Sequence, residues 1–222
     1  TQTFVGSDAS GLAPNSTSTA HDLVNLGALA MDDPVVREIV GQTEATIPGV
    51  GVVDNVNSLL GKNGIIGIKT GNNDQNPGAF IGATTVQVNG QTITLLTAIM
   101  GAPSLYQALA DSNSLLTAAR TTAADTVIIH KGDVLGNYSL PAGGRVQAVA
   151  AADLHTTLLR GDTVKPQLEL GPIQYSSKAS QKVGTASLSK SSLSGATSID
   201  IILKSQPTQP SILWRLMHPL GK

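Results

Sequence analysis

Lysine, threonine and glycine stand together at Lys69, Thr70 and Gly71, at the end of the run Gly64-Ile65-Ile66-Gly67-Ile68. The β-branched isoleucines favour a strand, and Gly67 and Gly71 leave backbone open to close approach. An ammonium, a hydroxyl and the free groups of a strand edge suit a ligand that ends in a carboxylate and carries an amide. Lys69 and Thr70 are adjacent, so simple alternation sends them to opposite faces, one into a cleft beside the sheet and one to its rim. The same three residues would also serve as a solvated strand end. His130, His155 and His218 have no pairing at metal-ligand spacing and read as surface or partly packed residues, and the absence of cysteine excludes disulfides and thiolate chemistry.

Composition narrows the classes of function. The 222 residues are 41% hydrophobic and only 13% charged, with a net charge of -1, so a core can form while hydroxyls and amides cover the surface. The basic residues form no cluster, which argues against nucleic acid and against an anionic membrane surface as partners. No apolar run approaches a membrane span, and the opening Thr1-Gln2-Thr3-Phe4-Val5 reads as neither signal peptide nor anchor. Low charge with many hydroxyls leans toward an extracytoplasmic setting.

Elements to position the lysine are legible on both sides of it. Ser16, Thr17 or Ser18 is placed to cap a helix with Leu23, Leu26 and Ala30 as its stripe, and Pro34 opens a second helix through Val36, Ile39 and Val40. Residues 43–47 form a brief strand before the turn at Pro48-Gly49. After the lysine strand and a turn-rich loop at 72–78, strands over 79–88 and 91–100 are joined by Asn89-Gly90, a strong hairpin signal. Residues 104–125 read as helix, with Ala110 to Asn113 a weak middle that could divide it in two.

From about residue 130 the pattern becomes short alternating strands: Val146, Ala148 and Ala150; Val183, Ala186 and Leu188; Ile199, Ile201 and Leu203. Pro166 belongs near an edge. The tail around Trp214 places Ile212 or Leu213, Leu216 and Leu220 on one helical side, an amphipathic element predicted to pack on its own domain, with a membrane surface as the alternative.

In order and spacing these pieces resemble the penicillin-binding D-alanyl-D-alanine carboxypeptidases, low-molecular-mass serine peptidases that trim peptidoglycan. The matching stretches are Ser10-Gly11-Leu12, Ser18 to Leu23, Asn57 with Leu59-Leu60, Gly64 to Gly71, Pro77 to Phe80 and Met100-Gly101. The resemblance implies an α+β fold: part of a serine β-lactamase/transpeptidase-like domain over 1–128, an antiparallel sheet with packed helices, followed by a small all-β domain over 129–222. It implies that Lys69 supports proton traffic as a catalytic residue, that Thr70 contacts the substrate carboxylate, and that Gly71 leaves room for the peptide. No cofactor or metal is implied.

The family's SxxK and SxN motifs precede the Ser-Gly-Leu stretch, and this sequence opens only a few residues before it. The expectation is that the nucleophile lies on an upstream segment outside these residues, that this chain alone is inactive, and that the segment is its partner. Ser187-Leu188-Ser189-Lys190 fits SxxK by letters only, in a β context. The expected activity is serine-type D-Ala-D-Ala carboxypeptidase on peptidoglycan stem peptides, inhibited by β-lactam antibiotics, on the outer face of the cytoplasmic membrane or in the wall. A non-catalytic peptidoglycan-binding module is the alternative, and a β-lactamase-like hydrolase, disfavoured by the β domain after Lys69, is the second.

Overall fold

The computed structural model describes residues 2–6, 11, 13, 15–73, 76–188 and 198–218. The chain divides into two compact units, Thr1–Ala123 and Ala124–Lys222. An α+β unit with helices on an antiparallel sheet is followed by an all-β unit that, among the described residues, carries one short helix, as the fold class anticipates.

The first unit opens with helices α1 (Ala20–Asp32) and α2 (Pro34–Val40). The cap of α1 is Thr19, whose side chain accepts from the Asp22 N–H at 3.1 Å, not Ser16, Thr17 or Ser18. Its buried residues are Gly27 and Met31, while Leu26 faces out, so the predicted stripe is rotated. Asp33 caps α2 by accepting from the N–H groups of Val35 and Val36, and Pro34 fills the first turn as expected.

A small hairpin, β1 (Glu44–Ile47) and β2 (Gly51–Asp54), turns at Pro48-Gly49 and is exposed along its whole length. The central sheet follows: β3 (Ile65–Asn73), β4 (Asn76–Val88) and β5 (Gln91–Ala102), antiparallel in that order. Asn89 and Gly90 both take positive φ, as the two-residue turn between β4 and β5 requires. The predicted loop at 72–78 is largely absorbed into β3 and β4. Ser104 caps α3 (Leu105–Thr122), which runs unbroken through Ala110 to Asn113. Ser112, fully buried in that stretch, shares a 2.5 Å hydrogen bond with Thr97 of β5, and this contact outweighs weak local propensity.

Helices flank the sheet on both sides. Gly27 of α1 lies against Ile81, whereas Ser112 of α3 lies against Gly82, and successive strand residues face opposite ways. On the α3 side Phe80, Thr84, Ile93, Leu95, Leu109 and Leu116 are buried. Among the described residues, β3 and β5 are both sheet edges.

The second unit carries β6 (Ala124–Ile129), β7 (Val134–Ser139), β8 (Arg145–Ala150), β9 (Leu154–Leu158), β10 (Gln167–Leu170), β11 (Lys182–Ser187) and β12 (Ser198–Leu203). Strands β10-β11-β12-β8-β7 form one antiparallel sheet and β6 pairs with β9. The sheet curls until its edges meet: Tyr138 of β7 donates to the Gly171 carbonyl just past β10 at 2.7 Å, and Leu170 packs over Gly136. Inside lie Val146, Ala148, Ala150, Val183, Ala186, Leu188, Ile199, Ile201 and Leu203, the alternating positions read from the sequence. Pro166 sits immediately before edge strand β10.

Ser211 caps the short α4 (Ile212–Met217). Trp214 turns inward to Tyr175 and stacks on His218 at 4.5 Å between ring centroids, leaving Ile212, Leu213, Leu216 and Met217 outward. The predicted packing of the aliphatic side onto the domain is reversed, because the aromatic side makes the contact. Leu220 lies outside the described residues.

Candidate functional site

The lysine strand is launched from a turn stitched to its surroundings. Asn63 and Gly64 both take positive φ, Thr84 donates to the Gly64 carbonyl at 2.8 Å, and Arg120 of α3 donates to the Asn63 carbonyl. Asn63 also donates to the Asn113 side chain at 3.0 Å. From there β3 runs past β4 to Lys69, Thr70 and Gly71, which pair with Ile81, Phe80 and Ala79.

These three residues line a groove of about 620 Å³ at the end of the sheet. Leu23 of α1 and Leu105 of α3 also line it, with Phe80, Ile81, Ile99 and Met100 from the central and far strands. Because the groove draws on both helical sides at the sheet end, neighbours that alternate along β3 can both reach it. Its walls are mainly aliphatic, and among the described residues that line it Lys69 alone is charged. Lys69 is exposed and donates to the carbonyl of its neighbour Thr70. Among the described residues it makes no ion pair. A cation without a carboxylate partner in an aliphatic groove is chemically suited to an anionic end group on a partly apolar ligand.

Gly11 also lines the groove, while Ser10 and Leu12 of the same stretch lie outside the described residues. Sequence reasoning did not single out Leu23, Met100 or Leu105 as groove residues, since their types signal only helix or strand packing.

Ser187 is half-buried at the end of strand β11, not at a helix start, and Ser189 and Lys190 lie outside the described residues. His130 is exposed, and His155 shares a 2.8 Å contact with Asp125. Among the described residues no group of His, Asp or Glu is arranged to hold a metal ion.

No protein-family model matches the sequence, and no curated protein matches it. Solved structures do match. The chain is similar to penicillin binding protein 5 from Haemophilus influenzae, at 20% identity over 89% of this chain and 58% of that one, with a TM-score of 0.51. It is also similar to penicillin binding protein 6B from Escherichia coli, at 20% identity over 84% of this chain and 51% of that one, with a TM-score of 0.50. The fold is that of penicillin-binding proteins. The chain spans just over half the length of these two structures.

Proposed function

We propose that this chain supplies the carboxylate-binding wall of a serine-type D-alanyl-D-alanine carboxypeptidase acting on peptidoglycan stem peptides. The observation that carries this reading is the meeting of Lys69, Thr70 and Gly71 in one groove of a chain with this fold. The reaction is acyl transfer: a serine hydroxyl attacks the carbonyl between two terminal D-alanines, the second D-alanine leaves as its amine takes a proton, and water then releases the acyl group. Thr70 meets the terminal carboxylate, Gly71 leaves room for the peptide backbone, and the Lys69 ammonium supports proton movement near the nucleophile.

The nucleophile and its base belong, in this reading, to a segment bearing SxxK and SxN that lies outside these 222 residues and completes the groove. The sequence has no SxN, and its one SxxK falls where Ser187 ends a strand. That observation also favours the second reading, a peptidoglycan-binding module without catalysis. An extracytoplasmic setting follows from the proposed substrate, with the outward aliphatic side of α4 as the surface a membrane would meet. No helix among the described residues is long and apolar enough to cross a membrane.

Replacement of Lys69 by alanine in the completed enzyme separates the two readings. The catalytic reading expects penicillin acylation to slow on the order of a hundredfold or more. Unchanged acylation removes the role given to Lys69, and no acylation of the completed protein leaves the binding module.

A further inference from the structure

Lys69 stands in a stretch of β3 that is out of step with the rest of its strand. Ile65 pairs with Thr84 and Asn73 pairs with Asn76, and both pairs belong to one register. Between them, Gly67 to Gly71 pair with Ala83 to Ala79, one residue out of that register, and an irregularity marks the ladder on either side. A uniform ladder joining the outer pairs would set Thr70, not Gly71, opposite Ala79. A one-residue difference exchanges the faces of successive residues, so the offset decides which of Lys69, Thr70 and Gly71 presents which group to the groove.

Nothing in the residue pattern enforces the offset. Ile65, Ile66 and Ile68 offer an isoleucine to either face, and from Lys69 onward β3 has no apolar side chain with which to choose one. Packing from α1 and α2 meets this stretch closely. A Cβ on buried Gly67 would stand 3.1 Å from Val40 Cγ2 of α2 and 3.8 Å from Met31 Sδ of α1. Gly27 of α1 sits against both Ile81 and Ile68, where a Cβ would lie 3.0 and 3.4 Å away.

We infer that the contact of Gly67 beneath Val40, seconded by Gly27 against Ile68 and Ile81, holds Gly67 to Gly71 one residue out of register and thereby positions Lys69 and Thr70. Gly67, Val40 and Gly27 are positioning residues, and their effect on any reaction runs through the ladder. The functional weight of the inference rests on the proposed role of Lys69 and Thr70, but the register itself is measured without a reaction.

The chain has no cysteine, so engineered pairs report register directly. A Cβ on Gly71 would lie 3.4 Å from the Ala79 Cβ, close to the separation a disulfide spans. The double variant Gly71→Cys/Ala79→Cys is therefore expected to oxidise readily, and Thr70→Cys/Ala79→Cys poorly. Adding Gly67→Ala should shift the ratio of the two yields about tenfold or more toward the Thr70 pair, and adding Val40→Ala as well should restore it. Gly27→Ala gives the same reading if Gly67→Ala lowers the yield of folded protein. An unchanged ratio in these backgrounds, or a shift that Val40→Ala does not reverse, overturns the inference. Loss of acylation in Lys69→Ala with an unchanged ratio would leave the proposed function standing and this inference refuted.

Discussion

The two units solve the same problem differently. In Ala124–Lys222 the sheet curls until Tyr138 reaches Gly171, and its alternating residues fill one interior. In Thr1–Ala123 the α3 side of the sheet is packed, but the other side is only partly covered. On the helices of that side Leu29 is 68% exposed, Val35 62% and Ile39 59%, and among the described residues β5 has a neighbour on one side only. Scattered aliphatic exposure is ordinary; several large side chains on consecutive helices together with a strand edge unpaired among the described residues are features that a partner surface can use. The second unit is thus closed by its own residues, and the first carries the candidate site and, under the proposed function, the faces left for a completing segment.

Four changes sharpen or break that contrast. Ile201→Ala, deep in the second unit, should have the largest effect, a loss of about 2–5 kcal/mol read by urea unfolding. A much smaller loss would mean that the interior of this unit is not tightly packed.

Tyr138→Phe comes next, costing about 1 kcal/mol by removing the bond that joins the sheet edges. Burial holds the Tyr138 phenol above its ordinary value of 10.0, so the neutral form is favoured in the folded unit. Its contribution is complete below pH 10 and is lost as pH rises through the raised value. Wild-type stability should fall in that alkaline window, and the Tyr138→Phe variant should lack this part of the fall.

A smaller effect is expected at Asp22 in the first unit. Donation from the Thr3 hydroxyl, and then from the Gln2 N–H, holds its carboxyl below the usual range. The contribution is present above the ordinary value of 3.8 and is lost as pH falls through the lowered one. Acid titration followed by amide resonances should release Gln2 and Thr3 in that window, and Asp22→Asn should abolish the transition.

Smallest of all, Leu29→Ser should change the stability of this chain by no more than about 0.5 kcal/mol, because the side chain is already in solvent. A large loss would show that this face is already covered.

How much of this was legible depended on whether neighbours or tertiary contacts made the choice. Asn89-Gly90 fixed its hairpin locally, and the alternation around Ile199, Ile201 and Leu203 announced a buried face. The pattern offered Ser16, Thr17 or Ser18 as the cap of α1, and the structure uses the next hydroxyl, Thr19, because local residue types do not choose among adjacent hydroxyls. The continuity of α3 was hidden because it rests on Ser112 meeting Thr97 across the sheet. At α4 the aliphatic pattern suggested packing, but stacking of Trp214 on His218 and its tilted contact with Tyr175 turned the other side inward. At the site, Lys69, Thr70 and Gly71 were chemically conspicuous, whereas the aliphatic groove walls and the register offset depend on pairing partners that residue types do not name.

Labelled penicillin tests the central claim most directly. The chain alone should form no covalent adduct, while a preparation that also contains a segment bearing SxxK and SxN should form one, mapped by peptide mass to the serine of that segment. A covalent adduct on this chain alone, at Ser187 or any other serine, would contradict the account.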